Sequence, residues 1–140
     1  MKILLAADGS PYTKKALAFL VTHEGVAGPD DELVVLNVQP PVPPGVKGMV
    51  GASVVTDYHR EEALKVIEPI KEFMGRHQIP FRCLWVVGSA ADEIVKAAGT
   101  EKAQMIVMGT HGYGVVARLV MGSVAQKVVA QSEVPVLLVK

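Results

Sequence analysis

Five short apolar runs alternate along this chain with stretches whose apolar residues recur at helical spacing, a rhythm that leaves few folds open. The first run, Ile3-Leu4-Leu5-Ala6-Ala7, is continuous, so its strand is expected to be buried on both faces, as in a parallel sheet. Asp8-Gly9-Ser10-Pro11 ends it. Ser10 suits a helix N-cap and Pro11 a first helical position. Ala16, Leu17, Leu20 and Val21 follow at helical spacing toward Gly25. Residues 33–38, 81–87, 105–108 and 136–139 form the other predicted strands. Pro80 stands at the start of one of them, where a missing donor is tolerable. Ala63, Leu64, Ile67, Ile70, Phe73 and Met74 mark one face of a long helix, which Pro69 is expected to kink. Ser89 and Asp92 make a cap pair before the helix of Ile94, Val95, Ala97 and Ala98. Residues 123–131 form the last helix, with Val124, Ala125, Val128 and Val129 on one side. Residues 40–52 break the rhythm with Pro40, Pro41, Pro43, Pro44, Gly45, Gly48 and Gly51, and read as an irregular, mobile loop.

This alternation predicts an α/β fold, a parallel sheet covered on both faces by helices in right-handed crossovers. The 140 residues suit one domain, 1–140. Ligands in such sheets bind at the C-terminal ends of strands where the winding reverses, so the loops after strands one, two and four are the places to search. Lys+Arg and Asp+Glu number 14 each, and the missing basic excess argues against a nucleic-acid partner. Zero net charge is compatible with self-association. Cys83 is the one cysteine, which excludes an internal disulfide and suits a reducing compartment. The apolar residues before Asp8 are too few for a signal-peptide core or a membrane span. The expected location is cytoplasmic, without membrane insertion.

Residues 109–123, Gly-Thr-His-Gly-Tyr-Gly-Val-Val-Ala-Arg-Leu-Val-Met-Gly-Ser, form the richest loop. Glycines let backbone approach a ligand and adopt positive φ. Gly122-Ser123 opens the last helix, whose N-terminus attracts anions. Phosphate binding and a plain glycine-rich turn both fit this composition. No Gly-x4-Gly-Lys-Ser/Thr string exists, so the P-loop is excluded. Gly112-Tyr113-Gly114-Val115-Val116-Ala117 matches the dinucleotide fingerprint but is a decoy. Only one helix and one strand remain after it, and Glu133 precedes the final strand instead of ending it.

Gly109-x2-Gly112-x9-Gly122-Ser123 resembles, in every spacing, the Gly-x2-Gly-x9-Gly-Ser/Thr nucleotide motif of the universal stress protein family. Ile106-Val107-Met108-Gly109, Pro135-Val136-Leu137-Leu138-Val139 and Ala7-Asp8-Gly9-Ser10 are similar to flanking segments of that family, and the likeness runs over the whole chain. The resemblance implies a Rossmann-like fold of the adenine-nucleotide alpha-hydrolase type, with five parallel strands in the order 3-2-1-4-5. It implies ATP or AMP, with or without Mg2+, as ligand. The residue matching Asp8 would hold ribose or adenine, and Val38 would meet adenine through its backbone. Gly109, Gly112, Gly122 and Ser123 would surround ribose and phosphates, with Ala7, Met108 and Val124 beside them. Gln104 stands where the family often has Asp and Ala90 where it often has Pro, both expected to lie clear of the ligand. The resemblance also implies a homodimer through residues 134–139, an edge in that order.

Several residues keep two readings. Asp8 either contacts ligand or caps the first helix. His111 is a phosphate ligand, a general base or an orienting loop residue. Arg118 reaches a phosphate or lies in solvent. Cys83 reads as structural. His23, His59 and His77 lack partners at ligand spacing, so no metal site is expected. Glu61, Glu62, Lys65, Glu68 and Glu72 read as a solvated helix face. The leading function is an adenine-nucleotide-binding stress-response module whose loop order controls a surface for an unknown regulatory partner. A slow ATP hydrolase and a ligand-free interaction module are the alternatives. No catalytic lysine, metal–carboxylate pair or nucleophile–base pair is visible near the loop.

Overall fold

The apolar runs that become the central strands are the most buried. In the computed structural model, which describes residues 1–112 and 121–140, Ile3, Leu4 and Leu5 of β1 (Lys2–Ala6) are wholly removed from solvent. The chain continues through α1 (Pro11–Thr22), β2 (Glu32–Gln39), α2 (Val46–Val50), α3 (Ala52–Met74), β3 (Phe81–Val87), α4 (Ala90–Thr100), β4 (Met105–Gly109), α5 (Ser123–Gln131) and β5 (Val136–Val139). The strands form one parallel sheet in the order β3-β2-β1-β4-β5.

Successive strand residues point to opposite faces, so a sheet covered twice needs apolar residues at every position. Ile3 and Leu5 join Leu17, Leu20, Val35, Ile70 and Met74 in the core beneath α1 and α3. Leu4 joins Val34, Ile94, Ile106 and Val128 in the core beneath α4 and α5. Each such side chain contributes about 2 kcal/mol on burial. Charges gather at the opposite end of the strands from their C-termini. There Arg82 pairs with Glu32 and Glu101, and the N-terminal ammonium with Asp31. The Arg82 hydrogen bond and the N-terminal ammonium hold the Glu32 and Asp31 carboxyls below their ordinary values.

Residues 40–52 are not irregular throughout. They hold α2, bounded by Gly45 (φ +92°) and Gly51 (φ +91°). Both glycines occupy the left-handed region, so they shape the helix boundaries without preventing a helix. The helix predicted from its apolar face near residue 63 begins at Ala52 and continues past Pro69 to Met74. Ser10 and Ser89 are N-caps by position, yet neither side chain bonds a helix amide. The Glu93 N–H instead donates to the Ser89 carbonyl.

The histidines outside the glycine loop serve packing. His23 stacks on Phe19 with ring centroids 4.0 Å apart, His77 lies against Phe73, and His59 is buried. Cys83, half-buried on β3, packs against the α1–α3 core, and burial pushes its thiol above the ordinary value. Alkylation is expected to be several-fold slower at pH 8 in the native protein than in guanidinium chloride, because the thiolate is the reacting species. Equal rates would place the thiol in solvent.

Candidate functional site

The winding reverses between β1 and β4: β1 leads to α1 on one face of the sheet and β4 toward α5 on the other, which leaves a crevice at their C-terminal ends. A cavity of about 570 Å³ fills the gap. β1 delivers Ala6 and, just beyond its end, Ala7 and Asp8; β2 supplies Leu36 and Val38. Met108 and Gly109 come from β4, followed by Thr110, His111 and Gly112. The third wall is the start of α5, with Gly122, Ser123 and Val124. Every described residue of the sequence-predicted site therefore lines one cavity, while Arg118 lies outside the described residues. Glu133 borders a different hollow with Lys96 and Lys102, away from the switch point.

Asp8 has two faces. Its Oδ1 accepts the Ser10 N–H at 2.9 Å and the Thr13 hydroxyl at 2.9 Å. The Thr13 hydroxyl in turn accepts the Asp8 and Gly9 N–H groups. This partly buried cluster shapes the turn into α1 without bonding an amide of the helix's first turn, and the Ser10 Oγ is buried and unpartnered. The Asp8 Oδ2 lies beside Gly112, where a Cβ would overlap it. Shaping the turn and contacting a ligand are thus compatible, each using one carboxylate oxygen.

The glycines act through space, not through φ. Among the described glycines only Gly9, Gly45 and Gly51 have positive φ. A Cβ on Gly109 would overlap the Tyr12 Cβ, so this glycine lets β4 approach α1. A Cβ on Gly122 would meet the His111 Cα and the Thr110 carbonyl oxygen at 3.3 Å. The Gly122 N–H donates to the Thr110 carbonyl at 2.8 Å, joining the two ends of the segment between them. His111 Nδ1 lies 2.9 Å from Thr110 Oγ1, and its ring leans on Tyr12 with centroids 5.1 Å apart.

The cavity has two chemical ends. Leu36, Val38, Ile94 and Met108 offer apolar walls. At the other end α5 begins without an acidic residue in its first turn, leaving its N-terminal dipole available to an anion. Sequence reading missed Thr13 and Asn37. Asn37 is a lone amide in the run Leu33-Val34-Val35-Leu36-Asn37-Val38, and that solitary polar residue was the available signal. It is buried, donates from Nδ2 to the Ala7 carbonyl at 2.8 Å, and accepts at Oδ1 from Gln39 Nε2 at 2.7 Å. Ala90, expected to lie clear of the site, lines it at the start of α4, while Gln104 is remote and accepts the Lys2 N–H.

Fold and site together define a doubly wound α/β protein with a switch-point pocket. The model of the universal stress protein family matches residues 1–140, and the chain belongs to that family. A universal stress protein of Thermus aquaticus is 38% identical over 144 residues, covering 99% of this chain and 97% of its own. The structure of MJ0577 from Methanocaldococcus jannaschii superposes with a TM-score of 0.83 at 29% identity, covering 99% of this chain and 94% of that one. A family protein from Arabidopsis thaliana with AMP bound shares the fold at a TM-score of 0.71 and 16% identity, over 100% and 91% of the two chains. Among the described residues no helix is long and apolar enough to cross a membrane.

Proposed function

We propose that the chain, as one domain over residues 1–140, is a cytoplasmic adenine-nucleotide-binding regulatory module that works as a homodimer. The observation that carries this reading is the convergence of Asp8, Val38, Gly112, Gly122 and Ser123 on one cavity with an apolar end and an anion-attracting end. A purine fits against Leu36, Val38 and Met108. The Asp8 Oδ2 accepts from a hydroxyl or amine, and the phosphates meet the α5 N-terminus and the Ser123 hydroxyl. Binding would present or hide a surface for a regulatory protein. The family membership and the AMP complex of the Arabidopsis relative support the ligand class.

The residues do not fit a metal held by the chain. Among the described residues no group of three or more His, Cys, Asp and Glu side chains could hold an ion, and Asp8 is the one carboxylate lining the cavity. Mg2+ arriving with ATP would keep phosphate and water ligands. Calorimetry with ATP and with AMP tests the reading. The expected dissociation constant is of micromolar order, about −8 kcal/mol, for at least one of them. Absence of heat and of any co-purifying nucleotide by native mass spectrometry would reject it. Phosphate release is expected to stay below about one per minute, since efficient turnover needs about 8 kcal/mol or more of transition-state stabilisation.

A further inference from the structure

The hydrogen-bond ladder between β1 and β2 stops one rung before geometry requires. The Leu33 N–H donates to the Pro80 carbonyl, and the Gly88 N–H to the Gln39 carbonyl. The odd-numbered residues of β2 therefore turn their peptide groups toward β3, and the even-numbered ones toward β1. The Ala7 N–H duly donates to the Leu36 carbonyl at 2.9 Å. In a continuing parallel ladder the next bond would run from the Val38 N–H to the Ala7 carbonyl. That carbonyl is instead taken by the Asn37 side chain at 2.8 Å. The Val38 peptide consequently faces the crevice, where Val38 lines the cavity.

We propose that Asn37 is the positioning residue that sets base specificity, by occupying the Ala7 carbonyl and so keeping the Val38 peptide edge open to the ligand. The inference rests on the adenine-nucleotide reading for its ligand, while its structural half stands alone. A strand residue presents a donor and an acceptor side by side on one edge. That pattern complements the N1 acceptor and N6 donor of adenine. Guanine offers an N1–H donor and an O6 acceptor in the reverse order, so both contacts become repulsive. Asn37 is itself held by the Gln39 amide, and its burial keeps water from competing for the Ala7 carbonyl. Without the side-chain amide, Ala7 recruits the Val38 N–H, the ladder gains its missing rung, and the reading edge is spent within the sheet.

Two measurements on the full chain test this, after thermal melts show that Asn37→Leu and Asn37→Ala are folded. The first is amide hydrogen exchange at Val38 by NMR without nucleotide. Fast exchange is expected in the wild type and at least about tenfold slower exchange in both variants. Equal exchange in wild type and variants, or a protected Val38 amide in the wild type, overturns the proposal whatever the protein binds. The second is calorimetry with ATP and GTP. The wild type is expected to prefer ATP by about tenfold or more, and the variants by about twofold or less. An unchanged ratio in the variants overturns the specificity role. If the wild type binds neither nucleotide, the adenine reading and the specificity role both fall, and exchange alone decides what Asn37 does to the ladder.

Discussion

Alanine at Gly109 is expected to lower the melting temperature by roughly 10 °C, whereas alanine at Gly112 is expected to leave the fold standing and weaken ATP binding about tenfold. The two glycines belong to one motif but face different neighbours. A methyl on Gly109 overlaps the Tyr12 Cβ and comes within 3.3 Å of the Tyr12 carbonyl carbon and 3.2 Å of the His111 oxygen. Those atoms are backbone or fixed to backbone, so relief requires α1 to move away from β4. Overpacking of that kind costs about 3 kcal/mol, a large share of a typical domain stability of roughly 5–15 kcal/mol. A methyl on Gly112 meets the Asp8 Oδ2, the far end of a side chain that can rotate. Rotation breaks the bonds from the Ser10 N–H and the Thr13 hydroxyl and turns the carboxylate from the cavity. Urea or thermal melts and calorimetry on both variants separate the effects. A melting temperature within about 2 °C of wild type for Gly109→Ala would refute the close approach of α1 and β4. Unchanged ATP affinity in Gly112→Ala would remove the Asp8–Gly112 contact from the site. Gly122→Val is a less discriminating test, because its Cβ presses on loop backbone at His111 and Thr110. Such a variant moves the loop as well as obstructing phosphate.

Central strands were legible because burial on both faces favours continuous apolar runs, and their shortness and flanking turn residues separated them from buried helix. The strand order was not contained in the periodicity. It came from the resemblance to the universal stress proteins, and the observed sheet has that order. The glycine loop pointed to the right place for an incomplete reason. Positive φ was one of its two presumed uses, yet among the described loop glycines close packing against Tyr12, Asp8 and His111 is what excludes a side chain. Serine at a cap position was read as a capping side chain, but the Ser10 Oγ is buried without a partner, and composition does not reveal where a side chain points. α2 and the first turns of α3 were hidden because most of their apolar residues are exposed. Met49 is 87% exposed, and Val54 and Tyr58 about half, so no buried stripe marks the helix. Thr13 and Asn37 act through hydrogen bonds to backbone carbonyls, amides and a carboxylate brought together only by folding.

Each of two single variants, Leu137→Asp and Leu137→Lys, is expected to be a monomer, and their equimolar mixture a dimer. The expectation follows from the place of β5 at an edge of the sheet. The Pro135 carbonyl accepts the Ile106 N–H and the Val139 carbonyl accepts the Thr110 N–H. Residues 135, 137 and 139 thus turn their peptides to β4, leaving Val136 and Leu138 with outward donors and acceptors. The Pro135 ring therefore removes a donor on the inner side and does not obstruct the outer one. An exposed apolar edge invites another strand. A two-fold axis at Leu137 would set Val136 opposite Leu138 of the partner subunit, with two hydrogen bonds at each such pair. The other edge, β3, carries Arg82, whose ion pairs with Glu32 and Glu101 place charge there. On the axis, Leu137 faces its own copy with Cβ atoms about 5 Å apart, close enough for like charges to repel and opposite charges to attract. Leu137 also packs against the α1–α3 core, so melts must first show both variants folded. Light scattering at micromolar concentration then decides. A wild type of single-chain mass would end the β5 dimer outright. A dimeric Leu137→Asp would move the interface elsewhere, and a mixture that stays monomeric would deny the axis its place at Leu137.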